Sequence, residues 1–92
     1  MEINFEWVPR YSDTDKFDVH GRWSRLCYVN GILIGWVNKL RDVGILKEYY
    51  TSRDFFPSNG HPDPLHVGAG KNFETLKEGL EKRFIEFVEK IK

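Results

Sequence analysis

Asn30-Gly31 constrains this chain more than any other pair of residues, because it lies between two runs rich in Trp, Tyr, Leu, Ile and Val. Asn and Gly adopt positive φ at least cost, and a two-residue hairpin turn whose twist matches its strands needs positive φ at both central positions. The sequence therefore predicts a β-hairpin, with one strand over about residues 22–29 and the next over about 32–38. Its register follows from the turn. Val29 should face Ile32, Cys27 should face Ile34, Arg25 should face Trp36 and Trp23 should face Asn38, all on one side. Tyr28 opposite Leu33, Leu26 opposite Gly35 and Ser24 opposite Val37 then form the other side. Both sides are substantially apolar, so one belongs under a helix. The other needs cover from the N-terminal segment or a loop, or else is a binding surface. Gly35 leaves space beside Leu26 for the close approach of another group.

The remaining elements are more local. Ile3, Phe5 and Trp7 alternate with Asn4 and Glu6, the period-2 pattern of a strand with one buried face, and Pro9 ends it. Residues 11–21 are rich in Asp, Ser and Thr, which favour turns, and are expected to form a loop with room for one helical turn. Residues 41–44 read as a turn with Gly44 in a left-handed position, leading into a fourth strand over residues 45–51. A short helix over residues 40–50 competes, since Leu40, Val43, Leu46 and Tyr50 fall at helical spacing. Residues 53–70 contain Pro57, Pro62, Pro64 and Asn59-Gly60, which predict a long loop with a short extended piece at 65–67. Thr75-Leu76-Lys77-Glu78 fits a capping box and marks the start of a C-terminal helix. On that helix Leu76, Leu80, Phe84, Phe87, Val88 and Ile91 share a face, and Ile85 falls opposite.

Composition sets the bounds. A chain of 92 residues builds one domain with one core, here spanning residues 1–92. With 40% hydrophobic and 30% charged residues and no long polar tract, it has the material to fold alone. No apolar run is long enough to cross a bilayer, the N-terminus lacks the order of a secretory signal, and a lone Cys27 makes no internal disulfide. A cytoplasmic protein, monomer or homodimer, without membrane contact is expected. Net charge is zero, yet residues 1–18 carry −3, residues 19–53 carry +4 and the remainder −1. The basic middle can assist contact with an acidic partner, but dedicated nucleic-acid domains show a stronger overall excess.

The residue types that carry chemistry are sparse. Asp13, Asp15 and Asp18 read as an acidic turn, because a calcium loop needs alternating oxygen ligands and a Gly at its sixth position, where Asp18 stands here. His61, Asp63 and His66 lie within six residues, close enough to reach one ion, but the two intervening prolines fix the backbone without requiring the rings to converge, and no metal site is expected. Cys27, in a paired strand position, reads as a small hydrophobe rather than a nucleophile. Gly68-Ala69-Gly70-Lys71 lacks the earlier Gly and the following Ser or Thr of a phosphate loop and reads as a helix lead-in. No enzyme, cofactor or metal is expected.

Interleaved aromatic and basic residues are the one constellation left with functional content. Trp23, Arg25, Trp36, Lys39, Tyr49, Tyr50 and Arg53 are of the types enriched where proteins anchor partners, since large rigid rings bury area at low entropy cost. The same types also build ordinary cores.

A hairpin followed by Gly-x-x-Phe-x-Thr-Leu-x-Glu and a helix, here Gly70 to Glu78, resembles the three-stranded sheet plus helix of the AP2 and tyrosine-integrase amino-terminal DNA-binding domains. The resemblance implies a sheet face entering the major groove, with Arg22, Arg25, Trp36, Lys39 and Lys47 as the contacts to double-stranded DNA. The acidic front and zero net charge depart from that pattern. The chain is also similar in style to compact, aromatic-rich bacteriophage accessory proteins, anti-CRISPR proteins among them, which bind and inhibit a host or phage protein.

The expectation is thus an α+β domain, an antiparallel sheet of three to four strands with one C-terminal helix packed across one face. Its expected role is non-enzymatic protein binding, with sheet-face DNA binding as the alternative. If the helix covers the Trp23 side, function is expected to move to the loop at residues 53–70.

Overall fold

A computed structural model of the chain describes residues 2–42, 44, 47–57 and 66–91, with only the backbone described at 42 and 66–68. Five strands, β1 (Phe5–Pro9), β2 (Ser24–Val29), β3 (Ile32–Asp42), β4 (Lys47–Asp54) and β5 (His66–Gly70), precede one helix, α1 (Phe73–Lys90). The strands form one antiparallel sheet in sequence order, β1-β2-β3-β4-β5. The class is α+β as expected, but the sheet has five strands rather than three to four. The addition is β5, where the extended piece expected at 65–67 runs on to Gly70, so Gly68 to Gly70 belong to a strand and not to a helix lead-in.

Asn30 and Gly31 take φ of 52° and 77°, the positive values a two-residue hairpin turn needs. The expected register holds for Val29 opposite Ile32 and Tyr28 opposite Leu33, then breaks. A bulge shifts it by one residue, so that Cys27 faces Gly35, Leu26 faces Trp36, Arg25 faces Val37 and Ser24 faces Asn38. Ile34 is the extra residue, and a one-residue slip turns every later side chain to the opposite face. Cys27 opposite Ile34, Arg25 opposite Trp36 and Trp23 opposite Asn38 are therefore corrected, and Val37 and Trp36 exchange sides.

Helix α1 lies on the side that carries Phe5, Trp7, Cys27, Val29, Gly35 and Val37. Cys27, Val29, Ile34, Phe56 and Leu80 form the buried core, with Ile3, Phe5, Trp7, Phe84 and Phe87 packed against it. The bulge is what allows Ile34 and Gly35 both to face the helix. A Cβ on Gly35 would come within 2.6 Å of the Arg53 carbonyl oxygen and 2.7 Å of Leu80 Cδ1. The close approach expected at Gly35 is present, made by the helix beside Cys27 rather than beside Leu26.

The helix begins earlier than the capping box at Thr75 implies. Asn72 is the N-cap, and its side chain accepts the Glu74 amide at 2.8 Å. Starting there places Phe73 edge-on to Trp7 and Trp23, with centroids 5.6 and 5.5 Å away, and beside Tyr50. Packing of that ring outweighs the local preference for Thr75. Ile85 lies on the outer side at 39% exposed, as its spacing requires.

The competition over residues 40–50 is settled for strand at the described positions: β3 runs to Asp42 and β4 starts at Lys47, so Arg41 and Asp42 pair with Glu48 and Lys47 instead of turning. Val43, Ile45 and Leu46 lie outside the described residues. Pro9 is the last residue of β1, where the strand was expected to end. The Arg10 amide bonds Ser24 O at 3.1 Å, so by alternation the nitrogen of Pro9 points off the sheet edge, where no donor is needed.

Candidate functional site

Trp23, Arg25, Lys39 and Tyr50, four of the seven expected partner contacts, are engaged on the helix side. Trp23 is 3% exposed, edge-on to Tyr50 and Phe73, and its Nε1 donates to Thr14 O at 2.9 Å. The Arg25 guanidinium lies over the Trp23 ring and donates to the carbonyls of Ser12 (2.7 Å), Thr14 (2.6 Å) and Ser24 (3.1 Å). Burial draws Arg25 below its ordinary value, with Asp15 and Asp13 pulling the other way. Lys39 Nζ donates to Asp15 O at 3.1 Å and pairs with Glu48 at 3.1 Å. Hydrogen bonds from Lys39 and then from Arg41 hold the Glu48 carboxyl below the usual range.

These cations hold residues 12–17 against the sheet beyond the helix N-terminus. Phe17 completes that cover, with Lys39 and Arg41 over its ring at 5.3 and 4.7 Å. The acidic turn is self-contained. Asp18 accepts from the amides of His20 (2.9 Å) and Arg22 (2.8 Å) and from Arg22 Nε (2.9 Å). Burial pushes its carboxyl up, but the Arg22 and His20 bonds outweigh that and hold it below the ordinary value.

The other side of the sheet is different. By the observed register it carries Val8 from β1 and Arg10 just past its end, Leu26 and Tyr28 from β2, Leu33, Trp36 and Leu40 from β3, and Tyr49 and Arg53 from β4. No element among the described residues packs across it. The alternation of β4 continues past its end: the Phe55 amide bonds Ile34 O at 2.9 Å, Phe56 turns into the core, and Phe55 lies edge-on to Trp36 at 4.8 Å.

Cations and rings alternate across this face. The Arg22 guanidinium lies 4.4 Å from the Tyr11 centroid, Arg10 lies 5.0 Å from Tyr11 and 5.6 Å from Trp36, and Arg53 lies 5.7 Å from Phe55. Arg10, Tyr11 and Phe55 were not among the expected contacts. Continuing the period-2 pattern of β4 through Phe55-Phe56 would have found Phe55, whereas Arg10 and Tyr11 depend on a β1–β2 pairing across a long loop.

The expected partner surface is thus divided: Trp36, Tyr49 and Arg53 stand on the open face, and Trp23, Arg25, Lys39 and Tyr50 do not. The DNA-contact set divides too. Trp36 lies on the open face and Lys47 alternates onto it, Arg22 is tied to Asp18 at 2.9 Å, and Arg25 and Lys39 face the helix side.

Elsewhere the chemistry is muted. Cys27 is fully buried, and burial first, then the Glu81 charge, pushes its thiol up to about 12, where it is no nucleophile at neutral pH. Asp54, also fully buried, is met by Arg83 Nε at 2.6 Å and Nη2 at 3.0 Å, a structural pair. His61 and Asp63 lie outside the described residues. Among the described residues no three His, Cys, Asp or Glu gather to hold a metal, and no helix is long and apolar enough to cross a membrane. An apolar pocket of about 390 Å³ opens near the hairpin tip, lined by Val29, Ile32, Ile34, Phe84 and Phe87 among others. No protein-family model, curated protein or solved structure matches the chain.

Proposed function

We propose that this chain is a non-enzymatic binding protein that engages a partner protein through the sheet face opposite α1, in the manner of phage-type accessory or inhibitor proteins. The observation that carries this reading is Trp36. The bulge at Ile34 sends it away from the core to stand beside Phe55 on a face flanked by Arg10 and Arg53. Aromatic and Arg side chains grouped on an uncovered surface are the residue types that anchor partners. Function stays on the hairpin although the helix covers the Trp23 side, because Trp36 is not on that side.

A photo-cross-linking phenylalanine at position 49 or 85 tests this in bacterial cells. Tyr49 and Ile85 are similarly exposed, at 38% and 39%, on opposite sides of the molecule. Adducts from position 49 and none from 85 are expected, whereas equal yields or adducts from 85 alone would overturn the reading.

Sheet-face binding of double-stranded DNA is the second reading, favoured by Arg10, Arg53 and Lys47 on an open sheet. It requires affinity for duplex DNA that falls steeply with salt. Absence of binding at low salt removes it.

A further inference from the structure

We infer that the open face recognises an extended protein segment in which two carboxylates flank an apolar or aromatic side chain. The inference rests on the reading of that face as a protein-binding surface and adds the chemistry of the partner.

The argument starts from how Arg10 and Arg53 are held. A guanidinium stacked on a ring keeps its N–H donors along its edge, free to bond in its own plane. Arg10 lies over Tyr11 and over Trp36, and Arg53 lies over Phe55. Both side chains are exposed, and among the described residues neither has a hydrogen-bond acceptor or a carboxylate partner. The other arginines of the region and Lys39 are already spent, Arg22 on Asp18, Lys39 and Arg41 on Glu48, and Arg25 on the carbonyls of Ser12 and Thr14, and Lys47 at the far end of β4 is an ammonium without a fork. Two fixed, unsatisfied forks therefore remain, with the Trp36–Phe55 pair between them. Each fork matches a carboxylate, with which it makes two parallel charge-assisted bonds.

Spacing and charge decide between a peptide and a polyanion. The row runs from Arg10 across Trp36 to Arg53, its direct partner on β4, with Phe55 beside both; the Arg10–Trp36, Trp36–Phe55 and Arg53–Phe55 separations are 5.6, 4.8 and 5.7 Å. An extended chain repeats its side chains on one side about every 7 Å, so acid, ring and acid at i, i+2 and i+4 can follow the row. A nucleic-acid strand would bring a phosphate at every step and needs many cations to displace its counterions. Here the Tyr11 end of the row opens into a concavity of about 660 Å³ lined by Asp13 and Asp18 as well as Arg10 and Arg22. Glu6 stands on the same face by its pairing with Tyr28. Those carboxylates repel a regular polyanion but leave room for a segment whose charges fall only over Arg10 and Arg53.

The test is a titration of the purified protein with a fluorescein-labelled peptide that carries glutamate, tyrosine and glutamate at i, i+2 and i+4 with serine between them, read by anisotropy. Parallel titrations use the same peptide with lysine in place of glutamate and an oligothymidylate. Binding of the acidic peptide is expected, weakened about tenfold by either Arg10→Gln or Arg53→Gln, as for a lost charged hydrogen bond. Lys82→Gln, the same charge change on the exposed side of α1, should leave it unchanged. Melting curves establish that the variants are folded. No binding, equal binding of the lysine peptide, insensitivity to both Arg variants, or tighter binding of the oligothymidylate would overturn the inference. If the acidic peptide fails while cross-linking at position 49 persists, the partner chemistry is wrong and the binding face stands.

Discussion

Leu80 Cδ1 occupies the place a side chain on Gly35 would need, lying 2.7 Å from where its Cβ would be. The helix can approach the sheet this closely only over a residue with no Cβ, and it does so at the bulge that decides which way Trp36 points. Gly35→Ala meets the Arg53 carbonyl at 2.6 Å as well, and that backbone atom is fixed by the β3–β4 ladder. A cost of about 3 kcal/mol in denaturant unfolding is expected. Leu80→Ala alone should cost about 2–5 kcal/mol by leaving a cavity. The double variant should cost less than the sum, since one truncation makes room for the other addition, and strict additivity would refute the coupling.

Arg83 and Asp54 form the second long-range tie between α1 and the sheet, two hydrogen bonds to a carboxylate with no solvent exposure. Arg83→Met leaves that carboxylate buried without its counter-charge, which should cost about 3–5 kcal/mol. Adding Asp54→Asn removes the stranded charge and should recover part of the loss. A double variant no more stable than Arg83→Met would show that packing, not charge, holds this contact.

Asn30, with φ of 52°, reports on the turn because it is exposed at the hairpin tip. Asn30→Gly should stay within a few tenths of a kcal/mol of the parent. Asn30→Ala should cost about 1 kcal/mol, since Ala meets the same strain in the left-handed region without the local side-chain hydrogen bonding that lets Asn tolerate it. Thermal melts of the two variants separate these values, and equal melting temperatures would contradict the turn geometry.

What was legible in the sequence was local. Asn30-Gly31 fixed the turn, the alternation of Phe5 and Trp7 marked β1, and the spacing of Leu80, Phe84 and Phe87 identified the buried stripe of α1. The bulge was not legible, since Ile34 is displaced by what Gly35 meets on the helix and on β4, and neither neighbour is near in sequence. Trp23 and Trp36 are equivalent by type and differ only by that shift, which buries one in the core and leaves the other half-buried on the open face. Asn72 prevailed over Thr75 as N-cap because Phe73 has a pocket of rings to fill. β5 was only half seen because Gly68, Ala69 and Gly70 give no period-2 pattern.

Cys27 should make stability fall in alkaline solution. Its thiol is pushed from an ordinary 9.0 to about 12 in the folded chain. Between those values the unfolded chain releases the proton while the folded chain keeps it. The contribution is therefore whole below pH 9 and is lost as pH rises toward 12, approaching about 1.4 kcal/mol per pH unit. Cys27→Ala lacks this loss, so its stability deficit relative to the parent should shrink as pH rises from 8 to 11. Urea unfolding of both proteins across that range measures it. A deficit that stays constant would mean the thiol titrates normally.

Arg25 and Arg53 are both arginines over aromatic rings, yet their removal should have opposite consequences. Arg25 donates to Ser12 O and Thr14 O and holds residues 12–17 against the sheet, so Arg25→Ala should cost about 1–3 kcal/mol through carbonyls left without donors. The same change should speed hydrogen exchange at the amides of Thr14 and Lys16, which are held within that segment by bonds to Ser12 and Thr14 side chains. Arg53 is exposed over Phe55 with no acceptor among the described residues, so Arg53→Ala should stay within about 0.5 kcal/mol of the parent. Its effect should fall on binding instead. A large stability loss at Arg53 with little at Arg25 would reverse the assignment, making the open face structural and the face that carries residues 12–17 the exposed one.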